Sequence, residues 1–233
     1  MNINLRKVII VRHGQSIWNH DSKFTGWTNI PLTDIGRKDA TDIANTLINY
    51  NIKPNIYFSS VLDRSIETAK IIKKHIHKSD NLYTSWRLNE KHYGKLEGIP
   101  RQYIRDEYGY KFTTMMRNNF YMKPPVLHNL PEFNNTFPVF KNCYYNSIKH
   151  GESKENVLQR LLPYFQNDIL YTLTEHKLPI VVTHKHCLRV LMKYYLKLND
   201  EEFEEYKIPE KNILIMYFKP DFEYNHYELI NYK

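Results

Sequence analysis

The 233-residue sequence contains few cysteines and no long apolar run, and each absence excludes a class of protein. The two cysteines, Cys143 and Cys187, cannot form a disulfide framework and provide no CxxC pair for a metal ion. The longest apolar runs, such as residues 8–11 and 213–216, are about four residues long, whereas a membrane-spanning helix needs about 20. The first six residues lack the apolar stretch of a secretory signal. We therefore expect a soluble, cytoplasmic protein whose cysteines are reduced.

The positive charge of the chain is dispersed. Lys and Arg number 33 against 25 Asp and Glu, so the formal net charge is +8. Such an excess favours anionic partners, among them nucleic acid, membrane surfaces and small phosphorylated compounds. Because the cations are interleaved with acids and form no basic tail, we expect neither nucleic-acid nor membrane binding. Small phosphorylated ligands and a merely solvated basic surface remain as alternatives.

Short apolar runs alternate with amphipathic stretches along the chain. The strand-like runs are residues 7–11, 55–59, 179–183 and 213–218. Helical periodicity occupies residues 34–50 and 63–74 and recurs after His184. This alternation predicts an α/β fold with a mostly parallel central sheet and helices on both faces, in one domain spanning residues 1–233.

The segment from about residue 87 to residue 150 breaks the alternation. It is rich in aromatic residues, Asn and turns. Connections of this length usually form lids or the walls of a site. We expect this excursion to cover one end of the sheet.

Two of the predicted strands end at a histidine, one in Arg12-His13-Gly14 and the other in His184. Ligands of open α/β sheets bind beyond the carboxyl ends of the strands. Gly14 leaves room for an approaching group, and Arg12 offers a planar fork of donors that suits phosphate oxygens. A neutral imidazole beside this fork could attack phosphorus. Metal binding is the rival interpretation, but no HxxxH or HExxH spacing occurs and we expect no metal.

Four runs resemble the histidine phosphatase superfamily and, more narrowly, its cofactor-dependent phosphoglycerate mutase branch. They are residues 12–19, 24–27, 31–36 and 86–94. Residues 152–153 and 160–164 fit as well, and the resemblance extends from about residue 8 to residue 227. It implies a phosphoglycerate mutase-like fold and the glycolytic interconversion of 3- and 2-phosphoglycerate, small phosphorylated three-carbon acids. The reaction would be primed by 2,3-bisphosphoglycerate and pass through a phosphohistidine.

The resemblance also implies roles for individual residues. His13 would be phosphorylated, and Arg12, Arg64 and His184 would surround the transferring phosphoryl group. Glu90 would be the general acid and base for the oxygen that leaves or receives that group. The implied substrate-binding positions, including those where this sequence departs from the branch, are Ser16, Asn19, Thr25, Gly26, Tyr93, Arg101, Arg117, Asn118, Lys185 and His186.

Several positions depart from the mutase pattern. Asn118 stands where the branch has a second arginine, so one charge-assisted contact to the substrate is lost. Lys185 replaces a glycine, which lysine cannot imitate if the position needs positive φ. Together with His186, Lys185 could instead add positive charge to the pocket. Glu210 and Lys211 replace a Thr-Gly pair, which places an acid near an anion site.

The sequence leaves the outcome of the reaction open. Many mutases continue past the last strand into a mobile tail that helps to close the site, whereas this sequence ends at Lys233. A mutase must keep water away from its phosphohistidine, and these departures favour hydrolysis. The alternatives to a mutase are therefore a phosphatase or a bisphosphoglycerate mutase or phosphatase on the same fold, and a catalytically weak phosphate-binding relative. A homo-oligomer is compatible with these residues, which do not specify the assembly.

Overall fold

A mixed β-sheet forms the centre of the computed structural model, which describes residues 5–76, 81–125 and 137–232. Its strands are β1 (Arg6–Arg12), β2 (Ile56–Ser59), β3 (Leu82–Thr84), β4 (Pro179–Thr183), β5 (Asn212–Phe218) and β6 (Tyr224–Asn231). They lie in the order β3-β2-β4-β1-β5-β6. The first four of these neighbours are mutually parallel, and β5 is antiparallel to both β1 and β6. The predicted α/β class and mostly parallel sheet are confirmed.

Eight α-helices are present among the described residues. They are α1 (Ile17–His20), α2 (Asp34–Asn49), α3 (Asp63–Ile76), α4 (Arg101–Tyr108), α5 (Tyr110–Asn118), α6 (Lys154–Tyr164), α7 (Lys185–Leu196) and α8 (Asp200–Glu205). No helix of the described ranges is long and apolar enough to cross a membrane.

Helices cover both faces of the sheet because the central strands are apolar on both sides. Ile9 and Val11 of β1 pack into one core with residues of α2 and α3. Val8 and Ile10 pack into a second core with residues of α6 and α7. All four side chains are fully buried, and each such burial stabilises the fold by roughly 1.5–3 kcal/mol. A run without polar alternation is typical of a strand buried on both faces.

The carboxyl ends of β1, β2 and β4 meet at one edge of the sheet. Arg12 pairs in register with Thr183, and Ser59 pairs with Val182. The residues that follow these strands are therefore neighbours, although they are far apart in the sequence. This edge is where ligands of parallel sheets bind.

The excursion after β3 contains the short helices α4 and α5 and has a small apolar core of its own. Leu96, Ile104 and Met116 from the excursion pack with Phe24, which follows α1. This packing anchors the excursion beside the carboxyl edge of the sheet. Residues 126–136 of the predicted wall lie outside the described residues.

Candidate active site

The loop that follows β1 passes very close to the first turn of α2. A Cβ atom on Gly14 would lie 2.1 Å from the carbonyl oxygen of Gly36, and a Cβ atom on Gly36 would lie 2.1 Å from that of Gln15. No side chain fits at either position without a backbone shift, so the crossing requires glycine on both sides. The N–H of Gly14 also donates to Oγ1 of Thr68 on α3 at 3.1 Å. Two helices therefore hold the loop independently of any ligand.

His13 lies on this loop and is only 5% exposed. Its Nδ1 is 2.7 Å from the carbonyl oxygen of Gly14. Because a carbonyl only accepts, we assign the hydrogen to Nδ1, which leaves a free lone pair on Nε2. Burial, and then the charges of Arg64 and Arg12, lower the pKa of His13 well below its usual 6.5. His13 is thus a neutral imidazole, the form that can act as a nucleophile.

His184 lies beside His13 at the end of β4, with the two ring centroids 4.8 Å apart. Its Nε2 is 2.8 Å from Oγ of Ser60, which follows β2. Its buried Nδ1 has no hydrogen-bond partner within the described residues. Burial and the charge of Arg64 also lower the pKa of His184 well below 6.5. The two imidazole rings therefore add no charge to the site.

Two arginines surround this pair of rings. Arg64, at the start of α3, donates from Nη1 to the carbonyl oxygen of Thr28 at 2.9 Å and from Nη2 to that of Gly26 at 2.7 Å. Burial lowers the pKa of Arg64 to about 10, so it stays charged at neutral pH. Nη1 of Arg12 lies 3.1 Å from Oε1 of Glu210. Nε of each arginine is buried without a hydrogen-bond partner in the described part of the chain.

The carboxyl group of Glu90 lines the same pocket. One of its oxygens accepts the N–H of Lys91 at 2.8 Å. Burial raises the pKa of Glu90 above its usual 4.5, although this hydrogen bond and the charge of Arg64 act in the opposite direction. A carboxyl group with a raised pKa keeps its acid form to a higher pH and can act as both proton donor and proton acceptor.

The backbone of Glu90 is held by two buried side chains. Nε1 of Trp27 donates to its carbonyl oxygen at 2.6 Å, and Nη2 of Arg160 donates to the same oxygen at 2.9 Å. Arg160 is itself fixed by a bidentate pair with Glu152, at 2.7 and 3.0 Å. A buried ion pair is tolerated only with good geometry and further hydrogen bonds. The hydrogen bond from Arg160 to the carbonyl oxygen of Glu90 is one of these, so the ion pair helps to hold the backbone of Glu90.

Most of the predicted site residues meet in one pocket, which we call the inner pocket and which has a cavity volume of about 40 Å³. Its lining consists of Arg12, His13, Asn19, Thr25, Gly26, Arg64, Glu90, Tyr93, Arg101, Arg117, Lys185 and His186. Five of these side chains are Arg or Lys and one is an acid. This excess of positive charge in a confined space suits a phosphorylated anion.

Among the described residues that were predicted to bind substrate, Ser16 and Asn118 do not line the inner pocket. Oγ of Ser16 accepts the N–H of Asn19 at 3.3 Å, so Ser16 is the N-cap of α1. Oδ1 of Asn118 accepts from Nη1 of Arg189 at 3.2 Å. The structure thus gives both residues a structural contact beside the site.

A profile of the histidine phosphatase superfamily (branch 1) matches residues 8–231. The chain belongs to this superfamily. It is 34% identical over 205 residues to a 2,3-bisphosphoglycerate-dependent phosphoglycerate mutase of Hydrogenobaculum sp., covering 87% of this chain and 83% of that protein. It is also 34% identical over 221 residues to the mutase of Buchnera aphidicola subsp. Cinara cedri, covering 91% and 94%. The resemblance inferred from the motifs is confirmed.

Solved structures support the fold of the superfamily. A mycobacterial glucosyl-3-phosphoglycerate phosphatase superposes with a TM-score of 0.74 at 19% identity, over 98% of this chain and 100% of that one. The sequence relatives are named as phosphoglycerate mutases, which are enzymes, whereas this solved structure is named as a phosphatase.

Two departures from the superfamily's mutase pattern have different consequences for the backbone. Lys185 is the first residue of α7 and is not among the residues with positive φ, so the left-handed conformation considered for this position is not present. The reason is that His184 already serves as the N-cap, and helical geometry suits a lysine that follows it. Lys211 does adopt a left-handed backbone, with φ of 58°. Such a conformation costs a residue other than glycine about 1–2 kcal/mol.

Sequence reasoning did not identify the residues that hold the superfamily's site in place. Ser60 contacts His184, and Arg160 and Trp27 hold Glu90. Glu97 accepts the N–H groups of Trp27 and Thr28 at 3.0 and 2.9 Å and thereby closes the turn at residue 26. Trp27 and Arg160 lie within runs that carry the resemblance, and this was the one available signal for them.

Proposed function

We propose that this protein is a cytoplasmic phosphoglycerate mutase, primed by 2,3-bisphosphoglycerate, that interconverts 3- and 2-phosphoglycerate through a phosphohistidine at His13. The observation that carries the proposal is the neutral His13, with Nδ1 tied to the carbonyl of Gly14 and Nε2 free, inside a pocket of five cationic side chains and one acid. The curated relatives at about one-third identity, which are named as mutases, support the choice of substrate.

Unpaired donors in the site suit a phosphorylated ligand. Nε of Arg12, Nε of Arg64, Oγ1 of Thr25 and Nδ1 of His184 are buried without a hydrogen-bond partner among the described residues. Leaving such a group unsatisfied costs about 1–3 kcal/mol, which phosphate oxygens or a protonated phosphate would relieve. When bound, 2,3-bisphosphoglycerate would supply the phosphoryl group that primes the enzyme.

The residues of the chain can carry out the transfer without further groups. The lone pair on Nε2 of His13 forms a bond to phosphorus as the bond between phosphorus and the ester oxygen breaks. Glu90, whose pKa is raised, gives its proton to the departing oxygen and later takes one from the hydroxyl that receives the phosphoryl group. The charges of Arg12 and Arg64 stabilise the negative charge that spreads over the transferring oxygens.

Phosphorus NMR of the protein with 3-phosphoglycerate, with and without catalytic 2,3-bisphosphoglycerate, tests the proposal. We expect a 2-phosphoglycerate signal that depends on the primer, with little free phosphate. His13→Ala is the control: it should abolish phosphohistidine formation and turnover while leaving circular dichroism unchanged. Free phosphate as the main product would replace the mutase with a phosphatase, and turnover by His13→Ala would refute the assigned nucleophile.

A phosphatase is the second candidate, and the contact between Glu210 and Arg12 favours it. Glu210 places a carboxylate 3.1 Å from a cation that a mutase would use for an anionic substrate. This negative charge would repel a bisphosphorylated primer, whereas it would not repel a neutral water molecule. The same NMR experiment distinguishes the two candidates by the ratio of 2-phosphoglycerate to free phosphate.

A further inference from the structure

A second and larger space adjoins the inner pocket. Its cavity volume is about 310 Å³ against about 40 Å³ for the inner pocket. The two share Arg12, His13, Asn19, Arg101 and Lys185, so a molecule with its phosphate at His13 can extend from one into the other. We call the larger space the outer chamber; its remaining lining consists of residues 15, 35, 39, 188, 208–212 and 232.

The outer chamber differs from the inner pocket in charge. The residues that line the outer chamber alone include two carboxylates, Asp39 and Glu210, and one ammonium group, Lys211. Each carboxylate has a cationic neighbour: Arg12 lies 3.1 Å from Glu210, and Lys211 lies 3.5 Å from Asp39. Beyond the shared cations Arg12, Arg101 and Lys185, a second anionic group would meet the two carboxylates. A cationic group would meet Lys211 and the shared cations. A neutral group that forms hydrogen bonds avoids both repulsions.

The turn that carries Glu210 is held in place by hydrogen bonds. Nδ2 of Asn212 donates to the carbonyl oxygens of Pro209 and Glu210 at 3.3 and 2.9 Å. The N–H of Tyr232 donates to the carbonyl oxygen of Lys211 at 2.9 Å. Glu210 therefore projects from a defined backbone, which is the condition for a side chain that selects among ligands.

We propose that the outer chamber binds the neutral, hydroxyl-rich group of a phosphate monoester larger than a three-carbon acid, such as a hexose phosphate. This inference rests on the proposed function, which places the phosphoryl group in the inner pocket. A hydroxyl group can donate to Glu210 or Asp39 and accept from Lys211 or an amide. It can therefore form hydrogen bonds with both the acceptor and the donor side chains of the outer chamber. With a cavity volume of about 310 Å³, the outer chamber lies at the lower end of the range of pockets that enclose small molecules, about 300–1,000 Å³.

Equilibrium binding tests the inference without requiring turnover. Calorimetry compares three probes: glycerol 3-phosphate, which is small and neutral beyond its phosphate; 3-phosphoglycerate, which adds a carboxylate; and glucose 6-phosphate, which adds hydroxyl groups. We expect glucose 6-phosphate to bind about tenfold more tightly than glycerol 3-phosphate, the equivalent of one or two net hydrogen bonds. Equal or weaker binding of glucose 6-phosphate would overturn the inference.

Glu210→Gln tests the assigned selectivity. It removes the charge but keeps a hydrogen-bonding side chain of the same size, so we expect binding of 3-phosphoglycerate to tighten about fivefold relative to glycerol 3-phosphate. The matched control is Glu175→Gln, an exposed acid that precedes β4 at the opposite edge of the sheet. An equal change in both variants, or none in Glu210→Gln, would contradict a local role for Glu210.

Ile35→Trp tests the space itself. Ile35 lines the outer chamber and is 54% exposed, so a larger side chain there does not disturb the core. We expect glucose 6-phosphate to bind about tenfold more weakly, and glycerol 3-phosphate to be unaffected. The control is Ile48→Trp on the same helix, at 43% exposure. Unchanged binding of glucose 6-phosphate to Ile35→Trp would refute the subsite.

Labelling of His13 by 2,3-bisphosphoglycerate separates this inference from the proposed function. If the expected binding pattern is found and His13 is not labelled, the subsite stands and the proposed mutase fails. If His13 is labelled and the three probes bind alike, the proposed function stands and the subsite is wrong.

Discussion

A neutral His13 surrounded by cations is the residue-scale feature on which the proposed phosphoryl transfer would depend. A protonated imidazole has no lone pair on Nε2, and burial beside Arg64 and Arg12 disfavours that form. In the proposed reaction, the same two charges would attract the phosphoryl group and stabilise the transition state. The arrangement would therefore both activate the proposed nucleophile and bind the group that it attacks.

Replacing Glu90 by Gln removes the proposed proton donor while keeping the shape of the side chain. Because the pKa of Glu90 is raised, its acid form persists closer to neutral pH, and a step that needs this form slows as the pH rises through that pKa. We expect kcat of Glu90→Gln to fall about 10²–10⁴-fold and the corresponding limb of the pH profile to disappear. Steady-state kinetics over a range of pH measures both effects.

Glu107→Gln is the control for this experiment, since Glu107 is an exposed acid on α4. We expect its kcat and pH profile to match those of the wild type. If Glu90→Gln also keeps the wild-type kcat, Glu90 has no part in proton transfer and another group must supply the proton.

The ionisable residues of the site could be inferred from the sequence, but their positioning partners could not. His13 and His184 follow apolar strands, and Glu90 lies in a recognisable run. Ser60 contacts a histidine 124 positions away, and Arg160 reaches a carbonyl oxygen 70 positions away. Contacts of this range, especially to backbone atoms, leave no local pattern in a sequence.

At the scale of elements, the first turn of α2 acts as a support for the nucleophile loop. Gly36→Ala would place a Cβ atom 2.1 Å from the carbonyl oxygen of Gln15, so the loop or the helix must move. We expect the free energy of unfolding to fall by about 1–3 kcal/mol, as in other overpacked sites. The rate of His13 phosphorylation should fall as well, because Gln15 is two residues from the nucleophile. Urea unfolding and rapid-quench labelling measure the two effects.

Lys38→Ala controls for changes on the same helix, because the Lys38 side chain is 72% exposed and forms an ion pair with the nearby Asp42. An exposed pair of this kind contributes little, about 0–1 kcal/mol. Wild-type stability and labelling in Gly36→Ala would show that the two elements are not tightly coupled.

The elements that sequence periodicity predicted are those buried on an apolar face. The four predicted strands correspond to β1, β2, β4 and β5, and the three predicted helical patterns correspond to α2, α3 and α7. β3 has three residues and β6 is largely exposed, so neither has a clear apolar pattern. Pairing with a neighbouring strand, which is a tertiary interaction, makes them strands.

At the scale of the whole molecule, the order of the strands brings the residues of the candidate site together. Arg64, His13 and His184 follow β2, β1 and β4, which are neighbours in the sheet with β4 between the other two. The expectation of one site at the carboxyl edge followed from the alternation of strands and helices. The outer chamber could not be expected from this alternation. Its shape depends on how residues 208–212 turn against the strand that ends near residue 232.

Three buried histidines make the stability of the whole molecule depend on pH. The pKa of His13, His184 and His186 lies well below the usual 6.5, with burial as the largest cause in each case. Below that pH, the unfolded chain binds protons that the folded protein does not. The free energy of unfolding therefore falls as the pH drops below 6.5, by up to about 1.4 kcal/mol per pH unit for each histidine.

Urea unfolding between about pH 8 and about pH 5 tests this dependence. His186→Gln should remove about one third of the slope that the three histidines contribute below pH 6.5, because one of the three is removed. His226→Gln, at an exposed position on β6, should leave the slope unchanged. Lys154, whose pKa is lowered by burial to about 5, adds a slope over the whole range that is common to all three proteins. An unchanged slope in His186→Gln would show that His186 is protonated in the folded protein, and the neutral state of His186 inferred from its burial would then be wrong.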